Sequence, residues 1–355
     1  MVSLFARATR RVSVTHIRHV AAVPPRAATG LVGRVYRQME ADFGMVAPPI
    51  MLHAPAPENL AACWSILRET LLVPGLVSRE DKEAVAAAVS LSNQCPYCVD
   101  VHGTALLGLA PGADARSVAA DRIDGVAEPR LRELTRWARG SRPDAPFPPE
   151  LAPELAGVAV TFHYINRMVN IFLCESPFPP VPATVLGVIR RGATRIMRGM
   201  ASRRATPGGS AELLPDAPLP PDLGWAAGAP HIATAFARAS AAIEAGGTRA
   251  VPPRVRQLVL TRLADGTGTP PGISSREWLD PAVADLPEIE RPAGRLALLA
   301  ALASYRVTDA LIDEFRSAGN DDAAIVELMS WASLTAARQI GAGLVMTSEG
   351  YGRTS

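Results

Sequence analysis

The feature that most limits the fold is the spacing of apolar residues, which is helical rather than strand-like. In "PENLAACWSILRETLL", Leu60, Cys63, Trp64, Leu67 and Leu71 stand at i, i+3, i+4, i+7 and i+11, one face of a helix. "SREDKEAVAAAVSL" opens with Ser78 as a cap and follows it with acids in the first turn, as a helix N-terminus does. "DDAAIVELMSWASLTAARQIGAGL" starts acidic, continues with helix formers and holds no internal proline. Alternating β-branched runs are scarce and aromatics are 5 % of the chain, so it reads as all-α, with one short extended piece at "RVSVTHIRHV".

At 355 residues the chain has room for two domains. Its 48 % hydrophobic and 20 % charged residues are those of a globular protein, and a formal charge of +2 gives no field that marks a nucleic-acid binder. Arg7, Arg10, Arg11, Arg18 and Arg26 precede the first acid, Glu40, with some likeness to a transit peptide. No apolar signal-type run accompanies them, and residues 1–25 read as an irregular arm. No stretch reaches the 18 or so consecutive apolar residues of a membrane helix, since Leu155–Leu173 is broken by His163, Asn166, Arg167 and Asn170. A soluble, cytoplasmic protein with no membrane partner is expected.

Between 177 and 222 the texture changes. Prolines crowd the segment, and proline at that density speaks against a long continuous helix. Inside it lies "GVIRRGATRIMRGMASRR", readable as a patch for an acidic partner or membrane headgroups, or as a solvated helix within a linker; its three glycines favour the latter. Residues 181–222 are therefore expected to be a Pro/Arg-rich linker between a domain at 26–180 and a cysteine-free helical domain at 223–350. "RLRELTRWARG" (130–140) pairs with "RLALLAALASY" (295–305), and "GVAVTFHYINRMVNIFL" (157–173) with "LMSWASLTAARQIGAGL" (328–344), so the second domain can be read as a degenerate repeat of the first.

The chemistry concentrates in "SNQCPYCVDVHGTALL". Four cysteines are too few for a secreted disulfide framework, and only Cys95 and Cys98 are close in sequence. As metal ligands, Cys95, Cys98 and His102 make three, with Glu83 a conceivable fourth but no second pair of the kind a structural zinc uses. As a redox pair, Pro96 at N1 puts Cys95 at the N-cap and Cys98 in the first turn, where free N–H groups and the helix dipole favour a thiolate. His102 follows four residues later on the same face and can take the thiol proton. If the helices fold back at "SNQC", Glu83 meets His102 and a Glu–His–Cys relay results; otherwise Glu83 is an ordinary acid on a solvated helix.

Glu83, Cys95, Tyr97, Cys98 and His102, in the pattern E-x11-C-x-Y-C-x3-H, resemble the signature of the alkyl hydroperoxidase D and carboxymuconolactone decarboxylase superfamily. The likeness runs from about Leu31 to Pro180, including "LLVPGLVSREDKEAV" before the motif and "FHYINRMVNIFL" after it. It implies an all-α helical bundle, commonly homo-oligomeric, with no bound cofactor and no metal. It also implies that Cys98 reacts with peroxide, Cys95 resolves it to a Cys95–Cys98 disulfide, and Glu83 and His102 relay protons. A small peroxide would be the substrate and a dithiol donor, lipoyl-bearing or thioredoxin-like, the reductant. Tyr97 departs from the pattern, since the best-known peroxidase members carry a second histidine between the cysteines. A decarboxylase-like acid–base enzyme using Glu83 and His102, and a non-enzymatic redox sensor, are the alternatives. His163, Asn166 and Arg167 can be read, with Tyr97, as lining a substrate pocket. "GTGTPPG" at 266–272 lacks the spacing and lysine of a phosphate loop. Cys63 and Cys174 read as buried, inert thiols.

Overall fold

The computed structural model describes residues 14–141, 144–265 and 277–344. "GTGTPPG" and the arginines before residue 14 lie outside them. The longer helices are α1 (Gly30–Asp42), α2 (Pro57–Leu67), α3 (Arg79–Ser92), α4 (Pro96–Leu109), α5 (Pro129–Ala138) and α6 (Ala152–Phe172) in the first half. Then follow α7 (Ala183–Ala201), α8 (Pro230–Ala250), α9 (Pro253–Ala264), α10 (Arg291–Leu302), α11 (Asp309–Ser317) and α12 (Asp322–Leu344). A chain with 32 prolines is this helical because many of them begin helices: Pro57, Pro96, Pro129, Pro230 and Pro253 occupy first-turn positions where no N–H is needed. Ser78 caps α3 as expected, its hydroxyl accepting from the Asp81 amide at 3.1 Å. The extended piece near the N-terminus reduces, in its described part, to one antiparallel bridge between Ile17 and Leu173.

Helices α6 and α12 form the centre. They are buried nearly all round and pack on each other; α3 covers α6, while α8 lies across α2 and α12. At the α8–α12 crossing the helices touch so closely that a Cβ on Gly247 would run into the Trp331 indole. One contiguous buried cluster runs from Val32 to Ala337, so the two halves share a core. Both halves end alike, in a helix followed by a long buried one: α5 then α6, and α10 then α12. The paired sequence segments fall on these helices, with α11 added in the second half.

The segment expected to be a linker carries the 19-residue helix α7. Its prolines are clustered at the two ends, and none lies between Pro182, which supplies the N-cap, and Pro207. Proline density over the whole segment therefore said nothing about its middle.

The turn joining α3 to α4 is held by a polar stripe on α6. Gln94 takes a positive φ of 50°, and the Cys95 amide donates back to the Ser90 carbonyl at 3.0 Å. His163, Asn166, Arg167 and Asn170, spaced i, i+3, i+4 and i+7, all bond to Asn93. The Asn93 amide nitrogen lies 3.1 Å from both His163 Nδ1 and Asn166 Oδ1. Arg167 Nη1 donates to Asn93 Oδ1 at 2.9 Å, and Asn170 Nδ2 to the Asn93 carbonyl at 3.0 Å. Burial, with Arg167 alongside, lowers the His163 pKa far below its usual value, leaving a neutral ring that can accept from Asn93. Arg167 also donates to the Ala301 carbonyl at 3.1 Å and Asn170 to Ser304 Oγ at 3.1 Å, tying the turn to the second half. Replacing Asn93 by alanine strands the Arg167 Nη1 contact and the Asn166 carbonyl in the interior. We expect Asn93→Ala to lose roughly 1–3 kcal/mol of stability, seen as a lowered Tm; an unchanged Tm would show that the turn does not depend on this clamp.

Candidate active site

Helices α3 and α4 lie antiparallel across that turn, which brings Glu83 to His102. Glu83 Oε2 is 2.7 Å from His102 Nδ1, and Glu83 Oε1 accepts from Arg79 Nε at 2.9 Å and Nη2 at 2.8 Å. Burial works against a charge on Glu83, but Arg79 and His102 together outweigh it and hold the carboxyl below its usual value. As a carboxylate it accepts from His102 Nδ1, which leaves Nε2 as the basic nitrogen. The imidazole is fixed on its other side by Phe162, edge-on with ring centroids 4.4 Å apart.

Cys95 is the N-cap of α4 and Cys98 stands in its first turn, the arrangement expected from Pro96 at N1. Both thiols are free, 1 % and 2 % exposed, and lie near each other. Burial, and then the adjoining Cys98, push the Cys95 thiol well above its usual range, so Cys95 stays protonated. Cys98 and His102 face one cavity a helical turn apart. No hydrogen bond joins them among the described residues.

That cavity has a volume of about 410 Å³. Arg79, Glu83, Tyr97, Cys98 and His102 form its polar end, and the remainder is mostly apolar, with Phe43, Met45, Leu67, Leu71, Ile165 and Met197 among the walls. Of the four residues read as pocket-lining, only Tyr97 is there. His163, Asn166 and Arg167 are not: they point to the other side of α6, where all three are spent on the Asn93 turn. The reading failed because spacing shows that polar groups share a helix face but not which neighbour that face meets.

Two contributors escaped the sequence reading. Arg79 is one turn before Glu83 in "SREDKE", an i, i+4 pair visible in the sequence but easily taken for a surface pair. His16 reaches the cavity from the N-terminal segment, 3.4 Å from Cys174 Sγ and edge-on to Tyr97 at 6.0 Å, a contact no local motif announces. Cys174 is thus half-buried beside an imidazole rather than inert in the core, whereas Cys63 is fully buried with its thiol pushed well up by burial. Among the described residues no group of three or more His, Cys, Asp or Glu side chains could hold a metal ion.

The carboxymuconolactone decarboxylase family model matches residues 57–139, the span from α2 through α5 that carries the turn, Glu83, His102 and both cysteines. A Mycobacterium tuberculosis protein named alkyl hydroperoxide reductase is 38 % identical over 338 residues, covering 94 % of this chain and 96 % of its own. No solved structure matches significantly. Since the likeness to that relative extends over nearly the whole of both chains, the protein belongs to the alkyl hydroperoxidase D and carboxymuconolactone decarboxylase superfamily.

Proposed function

We propose that the protein is a thiol-dependent peroxidase that reduces alkyl hydroperoxides through Cys98 and Cys95, with Glu83 and His102 as the proton relay. The observation that carries this is the joint placement of a first-turn cysteine, a second free cysteine beside it at the helix cap, and a carboxylate-backed histidine on one apolar cavity. The name of the mycobacterial relative supports the same class of reaction.

In the proposed cycle His102 Nε2 takes the Cys98 proton, and negative charge developing on that sulfur is favoured by the unpaired N–H groups of the first turn of α4. The sulfur attacks the terminal peroxide oxygen and the O–O bond breaks. Cys98 becomes a sulfenic acid, and the leaving alkoxide takes the proton from His102 to depart as an alcohol. Cys95, kept as a thiol by burial, condenses with the sulfenic acid; a disulfide forms and water leaves. A dithiol donor, lipoyl-bearing or thioredoxin-like, restores both thiols by exchange and is itself oxidised. Glu83 keeps the imidazole in the tautomer this cycle needs, and Arg79 keeps Glu83 ionised. The family's lactone decarboxylases are the reason to retain a second reading, acid–base catalysis by Glu83 and His102 without the sulfurs.

The two readings separate on the cysteines. With dithiothreitol or a dihydrolipoyl donor, Cys98→Ser should abolish peroxide consumption. With the donor left out, Cys95→Ser should consume one equivalent and hold a sulfenic acid that dimedone traps, where wild type goes on to the disulfide. Undiminished turnover by Cys98→Ser would sink the peroxidase reading and favour acid–base chemistry, whereas one-equivalent oxidation of the wild type without turnover under any donor would favour a sensor.

Glu83→Gln should lower the rate on the order of 10²-fold. Its acid limb carries a second signal. Because Glu83 ionises below its ordinary value of 4.5 in the fold, its charge stabilises the protein above about that pH and the benefit disappears as pH falls through the lowered value. A plot of Tm against pH should therefore be flatter below pH 4.5 in Glu83→Gln than in wild type. Parallel curves would mean that the Arg79–Glu83–His102 contacts do not hold the carboxylate.

A further inference from the structure

The inner face of α7 roofs the cavity: Ala193, Met197 and Met200 line it, and Phe178 just before the helix joins them. The roof is fastened to α4, where Asp100 accepts from Arg190 Nη2 at 2.7 Å and from Ser176 Oγ at 3.2 Å. Gly108 of α4 permits the close crossing, since a Cβ there would sit 2.8 Å from the Thr194 carbonyl.

The outer face is of a different kind. Val185, Val188 and Ile196 are 46 %, 60 % and 42 % exposed, three of the seven exposed large hydrophobic side chains among the described residues. Arg191, Arg195 and Arg198 flank them on the same helix, with no ion-pair partner among the described residues, and no acid occurs between Glu175 and Glu212. Aliphatic side chains set among unneutralised guanidiniums, on a helix whose other face closes an apolar chamber, form an amphipathic surface.

We infer that the outer face of α7 docks on an anionic lipid surface, from which acyl-chain hydroperoxides enter the cavity beneath it. Lipid answers both halves of the face: phosphate groups meet the arginines, and the interface between headgroups and acyl chains takes Val185, Val188 and Ile196. A second copy of the chain, meeting this face through its own α7, would offer the arginines no acid, since none lies between Glu175 and Glu212. An acidic protein would match the charges but not the aliphatic patch, nor the apolar chamber below. The contact is peripheral: no described helix is long and apolar enough to cross a membrane, in keeping with the sequence. The sequence reading of "GVIRRGATRIMRGMASRR" as a solvated helix within a linker, and of a protein with no membrane partner, changes because the helix spans 19 residues and packs one side on α4 and the cavity, which leaves arginines and aliphatics outward. The choice of substrate rests on the peroxidase reading; the docking does not.

The test is co-sedimentation of the full-length protein with phosphatidylglycerol/phosphatidylcholine vesicles and with pure phosphatidylcholine vesicles, at low and high salt. Wild type should prefer the anionic vesicles by about tenfold or more and be released by 0.5 M salt; Arg191→Glu/Arg195→Glu, shown to be folded by its circular dichroism and Tm, should lose that preference. Val188→Asp should weaken binding at low salt too. A second readout compares turnover of a phospholipid hydroperoxide in those vesicles with that of tert-butyl hydroperoxide in solution, and anionic lipid should raise the first relative to the second. Equal binding to both vesicles, or full binding by the double variant, would overturn the inference. So would binding of poly-glutamate, or self-association through Arg191 and Arg195, without vesicle binding. Vesicle binding with no turnover of either peroxide would leave the docking standing and remove the peroxidase reading instead.

Discussion

The position of the two sulfurs depends on how one asparagine is held. Asn93 ends α3 and begins the turn that delivers Cys95 to the cap of α4, and four residues of α6 bond to its side chain and carbonyl. A polar cluster inside an apolar bundle is unfavourable unless every member finds a partner, and here the bonding runs both ways: Arg167 and Asn170 donate to Asn93, while His163 and Asn166 accept from its amide. Arg167, whose pKa burial brings down to about 10, still carries its charge at neutral pH and answers it with carbonyl oxygens rather than a carboxylate. A salt bridge would hold the turn at one point. Four hydrogen bonds along two turns of a helix hold its register as well, and register decides which way Cys98 faces.

The same network gives the cysteine-free half a physical role. Its carbonyl at Ala301 and hydroxyl at Ser304 complete the bonding of Arg167 and Asn170, and α12 backs α6 along the core. A half that has no redox residue of its own can therefore be kept because the helix clamping the redox turn is buried against it. Without that cover Arg167 would face water, and its bonds to Asn93 would compete with solvent.

Much of this was legible in the sequence, and what was not has identifiable causes. Pro96 specified the start of α4, so the capping position of Cys95 and the first-turn position of Cys98 followed from local rules. The meeting of Glu83 with His102 needed one further assumption, a reversal at "SNQC", and the hairpin supplies it. Arg79 was passed over because an i, i+4 pair on a helix looks the same whether the face is wet or buried; only packing against the cavity makes it matter. The stripe at 163, 166, 167 and 170 was seen as significant and assigned to the wrong neighbour for a related reason, since periodicity reports a face and not its partner. His16 could not be found at all, because it approaches from 80 residues away in sequence with no pattern around it. The length of α7 was lost to averaging: a helix within a linker was expected, but the flanking prolines were counted against a proline-free interior that runs for 19 residues.

Enclosure sets the terms for the proposed chemistry. Both sulfurs are almost wholly shielded, so whatever reacts at Cys98 must come through the cavity and lose its water on the way. An apolar organic hydroperoxide loses little by that transfer, whereas a hydrogen-bonding oxidant such as hydrogen peroxide gives up most of its solvation for one imidazole and one thiol. In the proposed reaction such a chamber would select by desolvation before any group touches the substrate, and dry surroundings would strengthen the Glu83–His102 hydrogen bond. The same shielding restrains the reductant: exchange at the Cys95–Cys98 disulfide requires a dithiol that can be carried inside, or a roof that opens. Helix α7 packs along α4, crossing it closely at Gly108 and bonded through Arg190 to Asp100, whereas the buried clamp on Asn93 belongs to α6. The roof over the sulfurs and the clamp that positions them are therefore carried by different helices.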